Sequence, residues 1–146
     1  MKLKFYFVSI AFVAAMSFIG AALVWAAPSS KEELLEVIKS SIAKKDTAAL
    51  KALCAKENAD PELLAMSQSM ITQMAGVEIK DISLTPLLAN FKPEEVVGDD
   101  VYKPNVTVLG KVSFKLGGDN NSTMSMPYGE KNGKFYIASS HKEKVK

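Results

Sequence analysis

Arginine is absent from the 146 residues, and all 18 basic side chains are lysine. Two of them, Lys2 and Lys4, sit at the very start; without these, 16 lysines face 16 acidic residues and the rest of the chain is formally neutral. A chain with neither a basic excess nor the bidentate guanidinium fork lacks both the attraction and the base-reading group of a nucleic-acid binder, so no nucleic-acid partner is expected. Cysteine is reduced to Cys54, which excludes an intrachain disulfide and leaves the fold to be held by its core. Beside Leu50 and Leu53, Cys54 itself reads as a core residue. The single histidine, His141, falls in the terminal run HKEKVK, read as a solvated charged tail over residues 141–146, and this leaves a Ser-His-type relay without a base on a rigid element. The acidic stretch around Glu94, Glu95, Asp99 and Asp100 lacks the Asp/Asn spacing, central Gly and closing Glu of a calcium loop. No metal and no cofactor is expected.

What is present begins with a leader. Lys2 and Lys4 precede an uncharged run from Phe5 to Ala27, rich in Phe, Val, Ile, Ala and Leu. Val24-Trp25-Ala26 places a β-branched and a small residue where a signal-peptide cut after Ala26 needs them, so residues 1–26 read as a signal peptide. The alternative is an uncleaved membrane anchor over residues 5–27, since about 20 apolar residues suffice to span a bilayer. Either way the charge asymmetry sends the remainder outward, to a periplasmic or secreted location. A membrane is a partner only if the segment stays uncleaved.

Residues 27–140 read as one α+β domain. Ser30-Lys31-Glu32-Glu33 is a capping box, and Leu34, Leu35, Ile38 and Ile42 follow at helical spacing. Asp46 or Thr47 can cap a second, short helix carrying Leu50, Leu53 and Cys54. Asp60-Pro61 opens a third, with Leu63, Met66, Met70 and Met74 along one stripe and Gly76 as its C-terminal stop. From Val77 the period becomes two, with a slip at Asp81 that a β-bulge would explain. Residues 86–104 carry three prolines and the acidic cluster, and read as an irregular connection. Asn105 to Leu116 alternates as a long half-buried strand with Gly110 at a bend or close approach. Met124, Met126 and Tyr128 alternate next, and Asn132-Gly133 turns the chain into Phe135-Tyr136-Ile137. The expected architecture is N-terminal helices packed on a curved, cone-like antiparallel sheet.

The opening SKEELLEVIKSSIAKKDTAALKAL, a helix, a short gap, an Asp and a second helix, resembles the start of the nuclear transport factor 2-like (cystatin-like) superfamily. NVTVLGKVSFKL and MSMPYGEKNGKFYIAS are similar to its final strands, above all in the Gly-Lys-aromatic-x-Ile close. The likeness spans roughly residues 30 to 140 and is nearest to small exported domains of unknown function in bacterial envelopes. It implies a conical sheet with a pocket between sheet and helices, but no single activity, because the fold hosts enzymes, binders and interaction modules. Enzymatic members place Asp, His, Arg or Tyr in the cone; here Arg is missing and His141 is in the tail, so the balance leans away from an enzyme.

The expected site is a pocket lined by Met66, Met70, Met74, Val112, Phe114, Met126 and Tyr128, taking an unidentified partner protein or a small apolar ligand. Two other functions compete. One is an enzyme using Asp81 with Tyr102, Tyr128 or Tyr136 for acid-base chemistry, and the other is a structural module that forms a homodimer through the sheet's open face. A soft copper site built from the methionines and Cys54 is less economical than core packing, because Leu63 shares the stripe and no His stands nearby. Asn105-Val106-Thr107, Asn120-Asn121-Ser122 and Asn121-Ser122-Thr123 match the glycosylation sequon, which matters only in a eukaryotic secretory pathway. Mass spectrometry of the exported protein should find an N-terminus at Ala27; an intact Met1 in the membrane fraction would establish the anchor instead.

Overall fold

The computed structural model describes residues 26–119 and 121–145. The leader expected over residues 1–26, and the anchor over 5–27, lie outside them except at their last residues. Among the described residues no helix is long and apolar enough to cross a membrane.

Three helices open the domain, each started by the residue its sequence offers. Helix α1, Lys31–Ala43, is capped by Ser30, whose Oγ accepts the Glu33 amide at 3.1 Å. Glu33 reaches back one residue further than a simple box requires, accepting the Ser29 amide at 2.7 Å. Asp46 caps α2, Thr47–Ala52, and Asp60 caps α3, Pro61–Gln73, with Pro61 in the first turn where its missing N–H costs nothing. Gly76 does not take the left-handed stop expected of it. The chain tightens into a 3-10 turn over Met74–Gly76 and leaves in extended conformation at Val77.

The main sheet is antiparallel with strand order β1-β4-β5-β6, made by β1 (Ile79–Pro86), β4 (Thr107–Leu116), β5 (Thr123–Lys131) and β6 (Lys134–Ile137). Its register jumps between Ile79 and Asp81, leaving Lys80 as the extra residue, and again between Val108 and Gly110, leaving Leu109. Both bulges deepen the twist, and the sheet curls into a half-barrel. Two glycines permit the curl. A Cβ at Gly110 would lie 2.7 Å from the Thr85 carbonyl oxygen and 2.8 Å from a Tyr128 ring carbon, and one at Gly129 would overlap the Thr107 carbonyl. Helix α1 packs against β1 and β6, the two outermost strands, so the sheet wraps around it. Leu34, Ile38, Leu50, Leu53, Cys54, Ile71 and Met74 from the helical half meet Ile82, Val112, Phe114, Met126, Tyr128 and Ile137 from the sheet in one cluster, every member at most 9% exposed. The architecture is α+β, with helices on the inner face of a curved sheet, as the residue pattern indicated.

Two segments depart from the sequence reading. Within residues 86–104 the chain forms β2 (Glu95–Val97) and β3 (Asp100–Pro104), turned at Gly98 with φ +61°. The run read as a solvated tail is β7 (Ser140–Lys144), which pairs with β3 in a second sheet of order β2-β3-β7. β7 has no apolar face to advertise it, and the valines and tyrosine of β2 and β3 are interrupted by acidic residues and Gly98. The pairing of β3 with β7 is written in charges that match only once the strands are adjacent: Lys103 Nζ lies 2.8 Å from Glu143 Oε2, and Lys144 Nζ 2.7 Å from Asp100 Oδ1. Such exposed pairs contribute little, so the backbone ladder carries the sheet.

Helices and sheet are sewn together along β6. The Phe135 amide donates to Pro28 O and the Ile137 amide to Leu53 O, both at 2.9 Å, while the Ala55 amide donates to Ile137 O at 2.9 Å. The free edge of β6 is thereby covered from both ends of the helical segment. Asn105 completes the join. Its buried carboxamide donates to Ala55 O at 2.9 Å and Glu57 O at 3.0 Å, and accepts the Ser139 amide at 2.9 Å. With both Nδ2 hydrogens committed, this nitrogen is not available for a glycan in the folded domain. Substituting Asn105→Ala strands two carbonyls and one amide and should lower stability by about 3 kcal/mol, read from urea unfolding; a loss below about 0.5 kcal/mol would mean that water replaces the carboxamide.

Candidate functional site

The seven side chains expected around one pocket are divided between two places. Met74, Val112, Phe114, Met126 and Tyr128 are no more than 5% exposed and lie in the central cluster, filling the interior of the cone. Met66 and Met70 are 60% and 38% exposed, on the outer side of α3. Helical geometry explains the split: at 3.6 residues per turn, eight residues overshoot two turns by about 80°, so a stripe that starts at the core with Met74 has turned to the surface by Met66.

The acid-base alternative is not assembled either. Asp81 is exposed opposite Lys115 on the sheet's outer face, the side away from the helices. Tyr128 belongs to the inner face, folded over Gly110, and burial raises its pKa with a smaller push from Glu32. Tyr102 lies on β3 and Tyr136 on β6. The outer face carries a hydroxyl row, with Thr85 Oγ1 3.0 Å from Ser113 Oγ and Ser113 Oγ 3.1 Å from Ser125 Oγ. The Lys111 ammonium stands 5.7 Å from the Phe91 ring centre, where the loop before β2 comes across it.

Met66 and Met70 instead form one wall of a recess outside the core. Leu63, Met66 and Met70 of α3 face Val97 of β2 and Tyr102 of β3 across about 430 Å³, with Ser67, Glu95 and Ser140 at the margins. The separation of its walls is set at the start of α3, where the Asp60 amide donates to Ser140 O at 3.0 Å. Val97 is 55% exposed, so both walls present apolar groups to solvent. The pair Val96-Val97, ahead of Gly98, is the sequence signal for this second wall; it sits inside an acidic, proline-rich stretch that hides it.

Beside the backbone ladder, ion pairs link β3 to β7. Lys144 binds Asp100 and lowers its pKa, and Lys103, with His141, does the same to Glu143; Lys103 and Lys144 are raised in turn. A carboxylate with a lowered pKa contributes stability above its ordinary range and loses it as the pH falls, but these groups stand in solvent, so the contribution is screened and small. Cys54 behaves oppositely. Burial pushes its thiol up to about 12, against a small opposing pull from Lys56.

No family model matches the chain, and no curated protein does. Among solved structures it is similar to a protein described as an NTF2-like transpeptidase from Campylobacter jejuni, at 17% identity and a TM-score of 0.37, covering 74% of this chain and 97% of that one. It is also similar to a SEC-C motif containing protein from Rhodopseudomonas palustris, at 15% identity and a TM-score of 0.37, covering 83% of each chain. A designed NTF2-like protein gives 13% identity and a TM-score of 0.36, covering 77% of this chain and 95% of that one. With TM-scores of 0.36–0.37 these likenesses decide nothing about the site, which rests on its own residues.

In the native protein at pH 8, Cys54 should resist iodoacetamide at least about 100-fold relative to the urea-unfolded chain, measured by mass spectrometry. Because the folded state holds the thiol proton more tightly, stability should fall as the pH rises through 9 towards 12. Equal alkylation rates in the two states would mean that the core opens readily at α2.

Proposed function

We propose that this chain is an exported, non-catalytic binding domain that receives an apolar segment of a partner protein in the recess between α3 and the β2–β3 hairpin. The single observation behind this reading is the exposure of Met66, Met70 and Val97 around one opening, while the interior of the cone is occupied by the protein's own side chains. Thioether side chains adapt to irregular apolar surfaces, which suits a site that must accept another molecule's shape. Export rests on Lys2, Lys4 and the uncharged run from Phe5 to Ala27.

A magnitude favours a protein segment over a small apolar molecule. Covering the exposed parts of three such side chains contributes roughly 3 kcal/mol, and the occupant's own apolar surface about as much again. Association costs at least about 4 kcal/mol, so a small molecule held by this recess alone would bind only weakly. A peptide has a further source of affinity, because β2 is the end strand of its sheet and can pair with an added strand beside the recess. The sheet's outer face is a weaker candidate for a homodimer, since its centre is a row of hydroxyls.

The test combines a probe and a crosslink. Nile red, a neutral apolar dye, should bind the purified protein weakly but saturably, and Met66→Lys and Val97→Lys should each reduce that binding about fivefold or more without lowering the thermal midpoint, because both side chains are already in solvent. A photocrosslinker placed at Val97 in the host cell should give one discrete adduct that Met66→Lys abolishes. Unchanged dye binding in both variants, or an adduct indifferent to Met66, would overturn the reading.

A further inference from the structure

The tip of the β5–β6 hairpin places two like charges side by side. Asn132 and Gly133 both take positive φ, 53° and 74°, giving the two-residue turn that the strand twist favours. The residues flanking it, Lys131 and Lys134, are direct cross-strand partners. Their side chains therefore leave the same face of the ribbon with Cβ atoms roughly 5 Å apart, and like charges so placed repel. Neither lysine is free in solvent. The Lys131 side chain is 23% exposed, with its ammonium 3.2 Å from Glu57 Oε1, and Lys134 is half-buried, with Nζ donating to Ser29 Oγ at 3.1 Å.

Both lysines line a cavity of about 450 Å³ between the hairpin and the segment that follows α2. Lys56 adds a third ammonium, and Glu57 is the only carboxylate among the lining residues, so three positive charges less one negative leave +2. Ala52, Ala55 and Tyr136 supply an apolar floor, and Asn132 adds a carboxamide at the rim. The walls are rigid, because residues 53–55 are hydrogen-bonded to Ile137 and the Asn105 carboxamide holds the Ala55 and Glu57 carbonyls. Its size falls in the range of about 300–1,000 Å³ typical of small-molecule sites.

We propose that this cavity binds a small organic anion, with a carboxylate or phosphate head set among Lys56, Lys131 and Lys134 and a flat apolar body resting on Tyr136 and the two alanines. A negative head supplies the counter-charge that one glutamate cannot give to three ammonium groups, and it converts the cross-strand repulsion into a shared contact. A cation is excluded by the sign of the site. This cavity shares no residue with the recess beside α3, so its occupancy is independent of the partner-binding reading.

Titrating the purified protein with phenyl phosphate, benzoate and inorganic phosphate at low salt, followed by amide chemical shifts, tests the proposal. Saturable shifts should centre on Lys56, Asn132, Gly133 and Tyr136. Tighter binding of phenyl phosphate than of benzoate would assign a phosphate head, and the reverse order a carboxylate. Lys134→Gln should weaken binding about fivefold or more, and Glu57→Gln should tighten it about threefold by removing the competing carboxylate. Without ligand, Lys134→Gln should raise the thermal midpoint, which separates relief of repulsion from damage to the fold. Absence of saturable binding by all three probes, or binding unchanged in Lys134→Gln, would overturn the proposal; inorganic phosphate binding as tightly as phenyl phosphate would remove the apolar body from it.

Discussion

The carboxamide of Asn105 joins three stretches of chain that are far apart in sequence. It gives its two hydrogens to carbonyls just after α2 and takes the amide of Ser139 between β6 and β7. Its own backbone amide donates to Ser139 O at 3.0 Å, so one residue closes a ring between the helical layer, the main sheet and the second sheet. A buried carboxamide with every partner in place is specific in a way that apolar packing is not, because any slip of β6 by one residue would leave its donors and acceptors unmatched. The rigid wall behind the lysine cavity and the entry of the chain into β7 both depend on it.

Curvature is the second constraint, and it decides where function can reside. Bulges at Lys80 and Leu109, with glycines where Tyr128 and Thr107 come close, bend the sheet around α1 until the interior is filled by the chain's own Phe114, Met126 and Tyr128. With the interior filled, the two surfaces proposed for binding lie on the outside. One is apolar and lies between α3 and the β2–β3 hairpin; the other is basic and lies at the tip of the β5–β6 hairpin. Their chemistry is complementary to different molecules.

Much of the fold was legible residue by residue. Ser30, Asp46 and Asp60-Pro61 announce the helix starts because capping is local, and the alternation from Val106 to Leu116 announces β4 because one of its faces is buried. β3 and β7 escaped because β7 is polar along its whole length and β3 is too short and mixed to show an alternating face. The site was legible in composition but not in assembly. The methionine stripe was visible, yet which part of it is buried, Met74, and which exposed, Met66, depends on where the sheet lies, and the second wall at Val97 arrives through a hairpin whose signal is hidden in an acidic, proline-rich stretch.

By itself the sequence determined the helix caps, the bulge in β1, the close approach at Gly110, the Asn132-Gly133 turn and, with one cysteine, the absence of an intrachain disulfide, since these depend on neighbours in the chain or on composition alone. Tertiary structure alone decided that the cone is filled, that His141 stands in a strand, and that Lys131, Lys134 and Lys56 face one cavity while Met66, Met70 and Val97 face another. The reason is physical. A side chain's neighbours across 50 residues are set by how far the sheet curls and how the ladder registers, and neither quantity is written in any local window.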